Sequence, residues 1–335
     1  MVYVIAEAGV NHNGSLDMAY KLIDIAADAK ADAIKFQTFK SSKVVSIDAE
    51  KAEYQKETTG NNENQLEMLE KLELSYDEFR LIANKCKDKN IDFISTPFDL
   101  DSVDFLDTLG VNMYKIGSGE LTNYLLLKRI AEKNKKIILS TGMSSLKEVE
   151  DSVNFIRNYN SKEIIVLHCV SCYPTNNNDL NLNCIKTMKH TLNIPVGFSD
   201  HTKDDVASLY AICSGAEYIE KHFTIDKELI GPDHRASLNP KELTEFIKKI
   251  RDCEIMLGDG VKKCRKTEEE NKKVVRRSLF FAKNFKKGYI IQESDFVSLR
   301  PYDGICVSNY QKLLGRKLKK KVLKNSYVSY DDFEK

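Results

Sequence analysis

One pattern recurs eight times along the first two-thirds of this chain and limits what it can fold into. A short apolar, β-rich run ends in small or polar residues, and a stretch with helical periodicity follows. The β-type runs cover residues 3–9, 33–39, 92–98, 113–119, 136–142, 164–170, 195–201 and 218–224. Helical patterns at 17–29, 76–87 and 146–158 lie between them, and helices are expected after the seventh and eighth runs at 205–213 and 240–257. Ser15 is placed to cap the first helix, after the turn sequence Asn11-His12-Asn13-Gly14. Eight such units in about 250 residues is the count and length of a closed (β/α)8 TIM barrel. An open doubly wound sheet usually has fewer strands and carries a glycine-rich phosphate loop after the first one, which this sequence lacks. One spacing is irregular: residues 40–75 hold more than a connecting helix and are expected to elaborate the barrel mouth.

Barrel enzymes build their active sites at the carboxyl ends of the strands, and here those ends are crowded with reactive groups. Glu7 ends the first run, and Lys35 and Gln37, two apart, share one side of the second. The third ends Ser95-Thr96-Pro97-Phe98; the fourth carries Lys115 and then Ser118-Gly119-Glu120. Ser140-Thr141-Gly142 ends the fifth, and the sixth gives His168, Ser171 and Tyr173. The last two contribute Ser199-Asp200-His201 and Glu220-Lys221-His222. Unpaired buried charge is costly, so these groups must pair, bind ligands or meet water. Convergence of all eight ends reads as an enzyme.

Lys35 and Lys115, with hydroxyls at Thr96, Ser118, Ser140, Thr141 and Ser199, make a suitable pocket for a small phosphorylated anion. Salt bridges to Glu7 or Glu120 are the structural alternative for these lysines. Lys35, Lys115 and Lys221 are also eligible as Schiff-base lysines. His201 and His222 end neighbouring strands and are placed to share one divalent ion. His12, His190 and His234 read as loop or surface histidines, and His168 as hydrogen-bonded in the barrel mouth rather than a third ligand.

Composition narrows the partners. Lys+Arg of 51 against Asp+Glu of 50 leaves a net charge of +1, so no global field favours nucleic acid or an anionic membrane. The longest apolar runs are strand-sized, and the amino terminus enters one at once, without a basic segment or cleavage-site pattern. A cytoplasmic protein is the expectation. The eight cysteines are scattered, which fits reduced and mostly buried thiols. Cys169 and Cys172 form a C-x-x-C but lack the context of a redox dithiol or a zinc ribbon.

The segment around Glu7, from Ala6-Glu7-Ala8-Gly9 to Asn11-His12-Asn13-Gly14, resembles the opening of the sialic acid synthase family. So do Lys35-Phe36-Gln37-Thr38-Phe39, Ser95-Thr96-Pro97-Phe98, Lys115-Ile116-Gly117-Ser118-Gly119-Glu120 and Ser140-Thr141-Gly142-Met143. His168-Cys169, Tyr173-Pro174-Thr175, Gly197-Phe198-Ser199-Asp200-His201-Thr202, Glu220-Lys221-His222-Phe223-Thr224 and Gly231-Pro232-Asp233-His234 continue the match in order. The resemblance implies condensation of phosphoenolpyruvate with N-acetylmannosamine or a related hexose, with loss of phosphate by C–O cleavage. It implies Glu7 as the catalytic carboxylate, and Lys35, Thr96, Lys115, Ser118, Ser140, Ser171 and Ser199 around phosphoenolpyruvate. Gln37, Phe98, Glu120, Tyr173 and Asp233 would lie against the sugar. His201 and His222 would hold a divalent metal, Mn2+ first, with Mg2+ or Co2+ as alternatives. Ser171 departs from the family pattern, where Asn or Thr is usual, yet it can still donate a hydrogen bond.

The barrel is expected over residues 1–258, with a charged linker over 259–274. Residues 275–335 form a β-rich piece with turns at Lys286-Lys287-Gly288 and Asp303-Gly304, which resembles the family's antifreeze-like SAF domain. That resemblance implies a domain-swapped homodimer in which Arg300 of Leu299-Arg300-Pro301 reaches the partner subunit's sugar. Tyr302 departs from the usual glycine-rich continuation. The basic run at 316–321 reads as a solvated face rather than a nucleic-acid site. Three classes remain open at this level: a phosphoenolpyruvate-condensing synthase, a Schiff-base aldolase and a non-catalytic sugar-binding protein. Among synthases, N-acetylmannosamine is the first sugar to consider, giving N-acetylneuraminate. A 2,4-diacetamido-6-deoxy hexose giving legionaminic acid is second, and a pseudaminic acid precursor third.

Overall fold

The computed structural model describes residues 1–51, 55–56, 59 and 63–334. The chain divides into two compact units, Met1–Gly258 and Asp259–Lys335.

Eight parallel strands build the first unit: β1 (Tyr3–Gly9), β2 (Ala33–Thr38), β3 (Asp92–Pro97), β4 (Met113–Ile116), β5 (Lys136–Ser140), β6 (Ile164–His168), β7 (Val196–Asp200) and β8 (Tyr218–His222). The ladder runs β3-β2-β1-β8-β7-β6-β5-β4. β3 and β4 pack side by side and bring its two ends together, so the expected barrel is what forms. Several strands stop two or three residues before the sequence pattern does. The cause is visible after β4, where Ser118–Glu120 coil into a 3-10 turn. Polar residues beyond these ends, such as Ser118, Thr141 and Ser171, therefore sit on loops over the mouth rather than in the ladder.

Local chemistry explains the helices. Ser15 accepts a hydrogen bond from the Met18 amide at the start of Leu16–Asp28, as its position predicts. Ser75, Ser145 and Asn239 each cap a helix reciprocally with a glutamate three residues on. The apolar faces of these helices pack on the outside of the barrel strands in one large core that includes Phe36, Phe79, Tyr114, Phe198 and Phe246. A separate apolar layer fills the barrel itself: Ile5, Ala33, Ile94, Ile138, Ile165 and Leu167, backed by Tyr3, Met113 and Tyr218. Of the long 40–75 connection, the described part contains a helical turn, Ser41–Val44, and a helix, Gln65–Leu72. Met68 and Leu72 of that helix join Val10, Phe39 and Phe98 in an apolar cluster.

The second unit begins with an exposed stretch and a short helix, Glu269–Val275. β9 (Ser278–Phe281) and β10 (Phe296–Leu299) then pair antiparallel. Isolated bridges such as Phe285 to Val322 and Leu318 to Phe333 tie the rest of the tail to them. Its core centres on Phe281, Ile291, Leu313, Leu318 and Val328. Arg300, next to a cis Arg300–Pro301 bond, follows β10 and is exposed.

Among the described residues, no helix is long and apolar enough to cross a membrane.

Candidate active site

Above the apolar filling, the next inward-facing positions are charged. Glu7 on β1 stands opposite Lys35 on β2 and His222 on β8, and Ser199 on β7 stands opposite Glu220 on β8. A bulge after Glu7 accompanies Gly9, whose positive φ of 53° suits glycine; a Cβ there would lie 3.2 Å from Glu7 Oε1. Lys35 Nζ pairs with Glu7, lies 3.7 Å from Glu220 Oε2 and donates to Thr96 Oγ1 at 3.4 Å. Lys115 Nζ donates to Ser140 Oγ at 2.7 Å and lies 3.5 Å from Glu220 Oε1, which also accepts from Ser199 Oγ at 2.8 Å. All four charged groups are buried. Two ammonium groups and two carboxylates thus balance one another inside the barrel, as buried charge requires.

Their environments push the two carboxylates apart. Burial raises Glu7 well above the usual carboxylate range; Lys35 opposes this without overcoming it. Glu220 feels the same burial, but the Lys115 and Lys35 charges and the Ser199 hydrogen bond hold it below that range. One carboxyl is therefore suited to carry a proton and the other to stay a fixed anion, the division of labour expected of an acid–base site. Burial lowers Lys115, whereas Glu220 and Glu7 outweigh burial and raise Lys35.

These groups surround a cavity of about 180 Å³. Of the residues singled out in the sequence, Glu7, Lys35, Gln37, Thr96, Phe98, Lys115, Ser118, Ser140, Ser171, Tyr173, Ser199, His201 and His222 all line it. At one wall the Gly142 amide donates to Ser118 Oγ at 2.9 Å, and Ser118 Oγ lies 3.1 Å from Cys169 Sγ. A side chain at Gly142 would have to displace its neighbours: a Cβ would fall 2.3 Å from Ser171 Oγ and 2.9 Å from Ser118 Oγ. Backbone and hydroxyls there form a small polar cradle.

The rings of His201 and His222 lie 5.9 Å apart, centre to centre, and Tyr173 packs against both. An imidazole nitrogen binds a divalent ion at about 2.1 Å, so two rings sharing one ion have centres no more than about 6.5 Å apart. Burial lowers both histidines and keeps them neutral, as ligands must be. His201 Nδ1 lies 2.7 Å from the Val170 carbonyl, which leaves Nε2 as the ligating nitrogen; Nδ1 of His222 is buried with no hydrogen-bond partner among the described residues. The pair fits a divalent ion. No group of three or more His, Cys, Asp or Glu with metal-binding geometry occurs among the described residues, so water and substrate oxygen would complete the sphere.

Residues 22–262 match the model of the NeuB family, and residues 276–334 match the SAF domain. The chain belongs to the NeuB family. Over 93% of its length this NeuB family member is 49% identical to the N,N'-diacetyllegionaminic acid synthase of Campylobacter jejuni, covering 94% of that protein. The enzyme of the same name from Legionella pneumophila is 42% identical over 94% of the chain and 90% of its own length. A crystal structure of N-acetylneuraminic acid synthetase from Leptospira borgpetersenii, in complex with citrate, superposes with a TM-score of 0.71 at 38% identity, covering 81% of this chain and 90% of that one.

Several side chains of this NeuB family member lie elsewhere than the sequence implies. Glu120 sits on the turn after β4, accepts from Asn123 Nδ2 at 2.6 Å and does not line the cavity. Asp233 is not among the lining residues either; burial raises its carboxyl to about 6, and Lys35 is near enough to oppose that. His12 and His234 lie on loops, as read, but are buried rather than at the surface, and His190 is exposed. His234 Nδ1 meets Thr224 Oγ1 at 2.6 Å and its Nε2 meets Asn13 Oδ1 at 3.2 Å, joining the loop after β8 to the loop after β1. His168 is absent from the cavity lining; its Nε2 lies 2.6 Å from the Leu180 carbonyl. Lys221 donates to the Thr202 and Asp204 carbonyls and pairs with Asp200, outside the cavity lining, which removes it as a Schiff-base candidate. All eight cysteines are free, but only Cys86, Cys169 and Cys253 are buried.

Glu220 lines the cavity too, although the sequence reading placed it at the end of the eighth run without giving it a role. Strand alternation was the available signal: if His222 faces inward on β8, so does the residue two before it.

Proposed function

We propose that the protein condenses phosphoenolpyruvate with 2,4-diacetamido-2,4,6-trideoxymannose and water, giving N,N'-diacetyllegionaminate and phosphate. The observation that carries the reaction class is the gathering of two buried lysines, two carboxylates of opposed proton affinity and two neutral histidines on one cavity. The choice of sugar rests on the two diacetyllegionaminic acid synthases at 49% and 42% identity. N-acetylmannosamine, with N-acetylneuraminate as product, is the second reading, favoured by the Leptospira synthetase at 38%.

In this reading Lys35 and Lys115 hold the phosphate and carboxylate of phosphoenolpyruvate, and Thr96, Ser118, Ser140, Ser171 and Ser199 donate to its oxygens. Gln37, Phe98 and Tyr173, which line the cavity, meet the sugar. His201 and His222 would hold a divalent ion, Mn2+ first, which supplies polarisation of the aldehyde oxygen when bound. The enol carbon attacks the aldehyde, and positive charge develops at the phosphate-bearing carbon. Glu220, a fixed anion beside both lysines, stabilises that charge, while Glu7 carries the proton traffic of the water that adds there. Loss of phosphate by C–O cleavage then completes the turnover. We place the enzyme in the cytoplasm as a homodimer, with the second unit of each chain reaching the partner's barrel and Arg300 contacting the sugar.

A phosphate-release assay with phosphoenolpyruvate, Mn2+ and the two hexoses in parallel tests this. Release with the diacetamido sugar at a kcat/KM at least tenfold above N-acetylmannosamine is expected; the reverse order selects the second reading. Release with neither removes the function.

A further inference from the structure

Cys169 takes no part in the reaction as described, yet its thiol is buried in the wall of the cavity. It lies 3.1 Å from Ser118 Oγ. Ser118 Oγ already accepts the Gly142 amide hydrogen at 2.9 Å, which occupies one of its two acceptor positions. The thiol can fill the second as a donor, or the hydroxyl can donate to sulfur. Sulfur is weak in both roles, so an anion in the cavity decides for the first arrangement, because the hydroxyl hydrogen is worth more donated to charged oxygen than to sulfur. With both acceptor positions taken, the Ser118 hydroxyl hydrogen has one use left, which is to point into the cavity.

We propose that Cys169 is a positioning residue that turns Ser118 into a fixed hydrogen-bond donor toward the phosphate of phosphoenolpyruvate. The inference rests on the proposed function, which places phosphoenolpyruvate in this cavity. It adds a role for a thiol that would otherwise read as core filling. The same geometry explains why a side chain at position 142 would disturb the cradle: a Cβ would approach Cys169 Sγ to 3.0 Å, and Ser118 and Ser171 more closely still. The cradle works only while those three side chains can close over the Cα of Gly142. An anion arriving at the cavity strengthens the arrangement, because a hydroxyl donating to charged oxygen forms a stronger bond than one donating to a thiol.

The test is a KM-against-kcat comparison backed by infrared spectroscopy. Cys169→Ala removes the donor and should raise KM for phosphoenolpyruvate about fivefold, the worth of one neutral hydrogen bond, with kcat held within twofold. Cys169→Ser keeps an O–H donor and should restore most of the affinity. In the double variant with Ser118→Ala, loss of Cys169 should cost nothing further, because the residue it orients is gone. The S–H stretching band of Cys169, identified by its disappearance in Cys169→Ser, should shift when phosphoenolpyruvate alone is added to the wild-type enzyme. An unshifted band, or a Cys169→Ala KM equal to wild type, overturns the role; so does full additivity with Ser118→Ala. The band needs only wild-type protein and Cys169→Ser, so poor folding of Cys169→Ala leaves the proposal falsifiable. Wild-type protein that fails to bind phosphoenolpyruvate sinks the assignment of the cavity, whereas binding with an unshifted band sinks only the thiol's role.

Discussion

Ser199 and Glu220 face each other across the β7–β8 ladder, and the serine hydroxyl donates to the glutamate at 2.8 Å. The bond orients the carboxylate with Oε1 toward Lys115 and Oε2 toward Lys35. Glu220→Gln would leave Lys35 sharing Glu7 with a neutral neighbour and Lys115 without a buried counter-charge. The variant should lose about 3 kcal/mol of stability by denaturant titration, since breaking a buried ion pair strands its partner. Phosphoenolpyruvate should restore part of that loss by returning negative charge. Stability equal to wild type would show that Glu220 is not the hub of the charge balance.

His201→Ala and Glu7→Gln should both fold yet lose at least a hundredfold in turnover. Removal of metal with EDTA should silence wild-type phosphate release, and Mn2+ should restore it, but not in His201→Ala. Unchanged rates in either variant would take that residue out of the mechanism. EDTA-resistant activity that borohydride traps with substrate would instead point to a Schiff-base lysine.

At Gly142, substitution by Ala forces a methyl group against Ser171 Oγ. Overpacking of this kind costs about 1–3 kcal/mol, and here it would also spread the cradle. Gly142→Ala should raise KM for phosphoenolpyruvate more than tenfold, and adding Ser171→Gly should recover part of it. A Gly142→Ala enzyme with wild-type KM would mean that the phosphate lies elsewhere.

Burial lowers His12 and His234 to about 4, whereas an unfolded histidine titrates near 6.5. Above pH ~6.5 neither state is protonated and the pair contributes no pH dependence. Between ~6.5 and 4 the unfolded chain binds more protons, so stability falls as the pH drops, by up to about 3 kcal/mol for each histidine. His234→Gln should flatten the pH 4.5–6.5 stability profile relative to wild type. An identical slope in variant and wild type would refute the link.

If Arg300 serves the partner's site, Arg300→Ala and Glu7→Gln are each nearly inactive alone. Mixed after reversible dissociation, they should recover about a quarter of wild-type activity, because half the dimers are hybrid and each hybrid has one intact site. No recovery in a verified hybrid would place Arg300 in the site of its own chain or outside it.

The barrel was legible because its evidence is periodic: eight apolar runs, each with a helix behind it, fixed β1 and the helix Pro240–Leu257 to the residue. The lining of the site was legible for a related reason, since Lys35, Lys115, Ser140 and Ser199 share the inward parity of their strands. What failed was less local. His234 is buried because it bridges Thr224, which donates to Nδ1, and Asn13, whose Oδ1 accepts from Nε2; Asn13 lies far off in sequence, and no window around residue 234 contains that information. Parity applied consistently would also have shown Lys221 facing away from the cavity and Glu220 facing into it.

The isoleucine layer built from Ile5, Ile94, Ile138 and Ile165 has a kinetic meaning. It seals the far end of the barrel, so both reactants must enter, and both products leave, through a single doorway. Lys35 and Lys115 stand one inward position above that layer, so in the proposed reading the smaller, anionic reactant is the first to arrive. A sugar that enters early blocks its own co-substrate, so the enzyme should show sequential, compulsory-order kinetics with inhibition at high sugar.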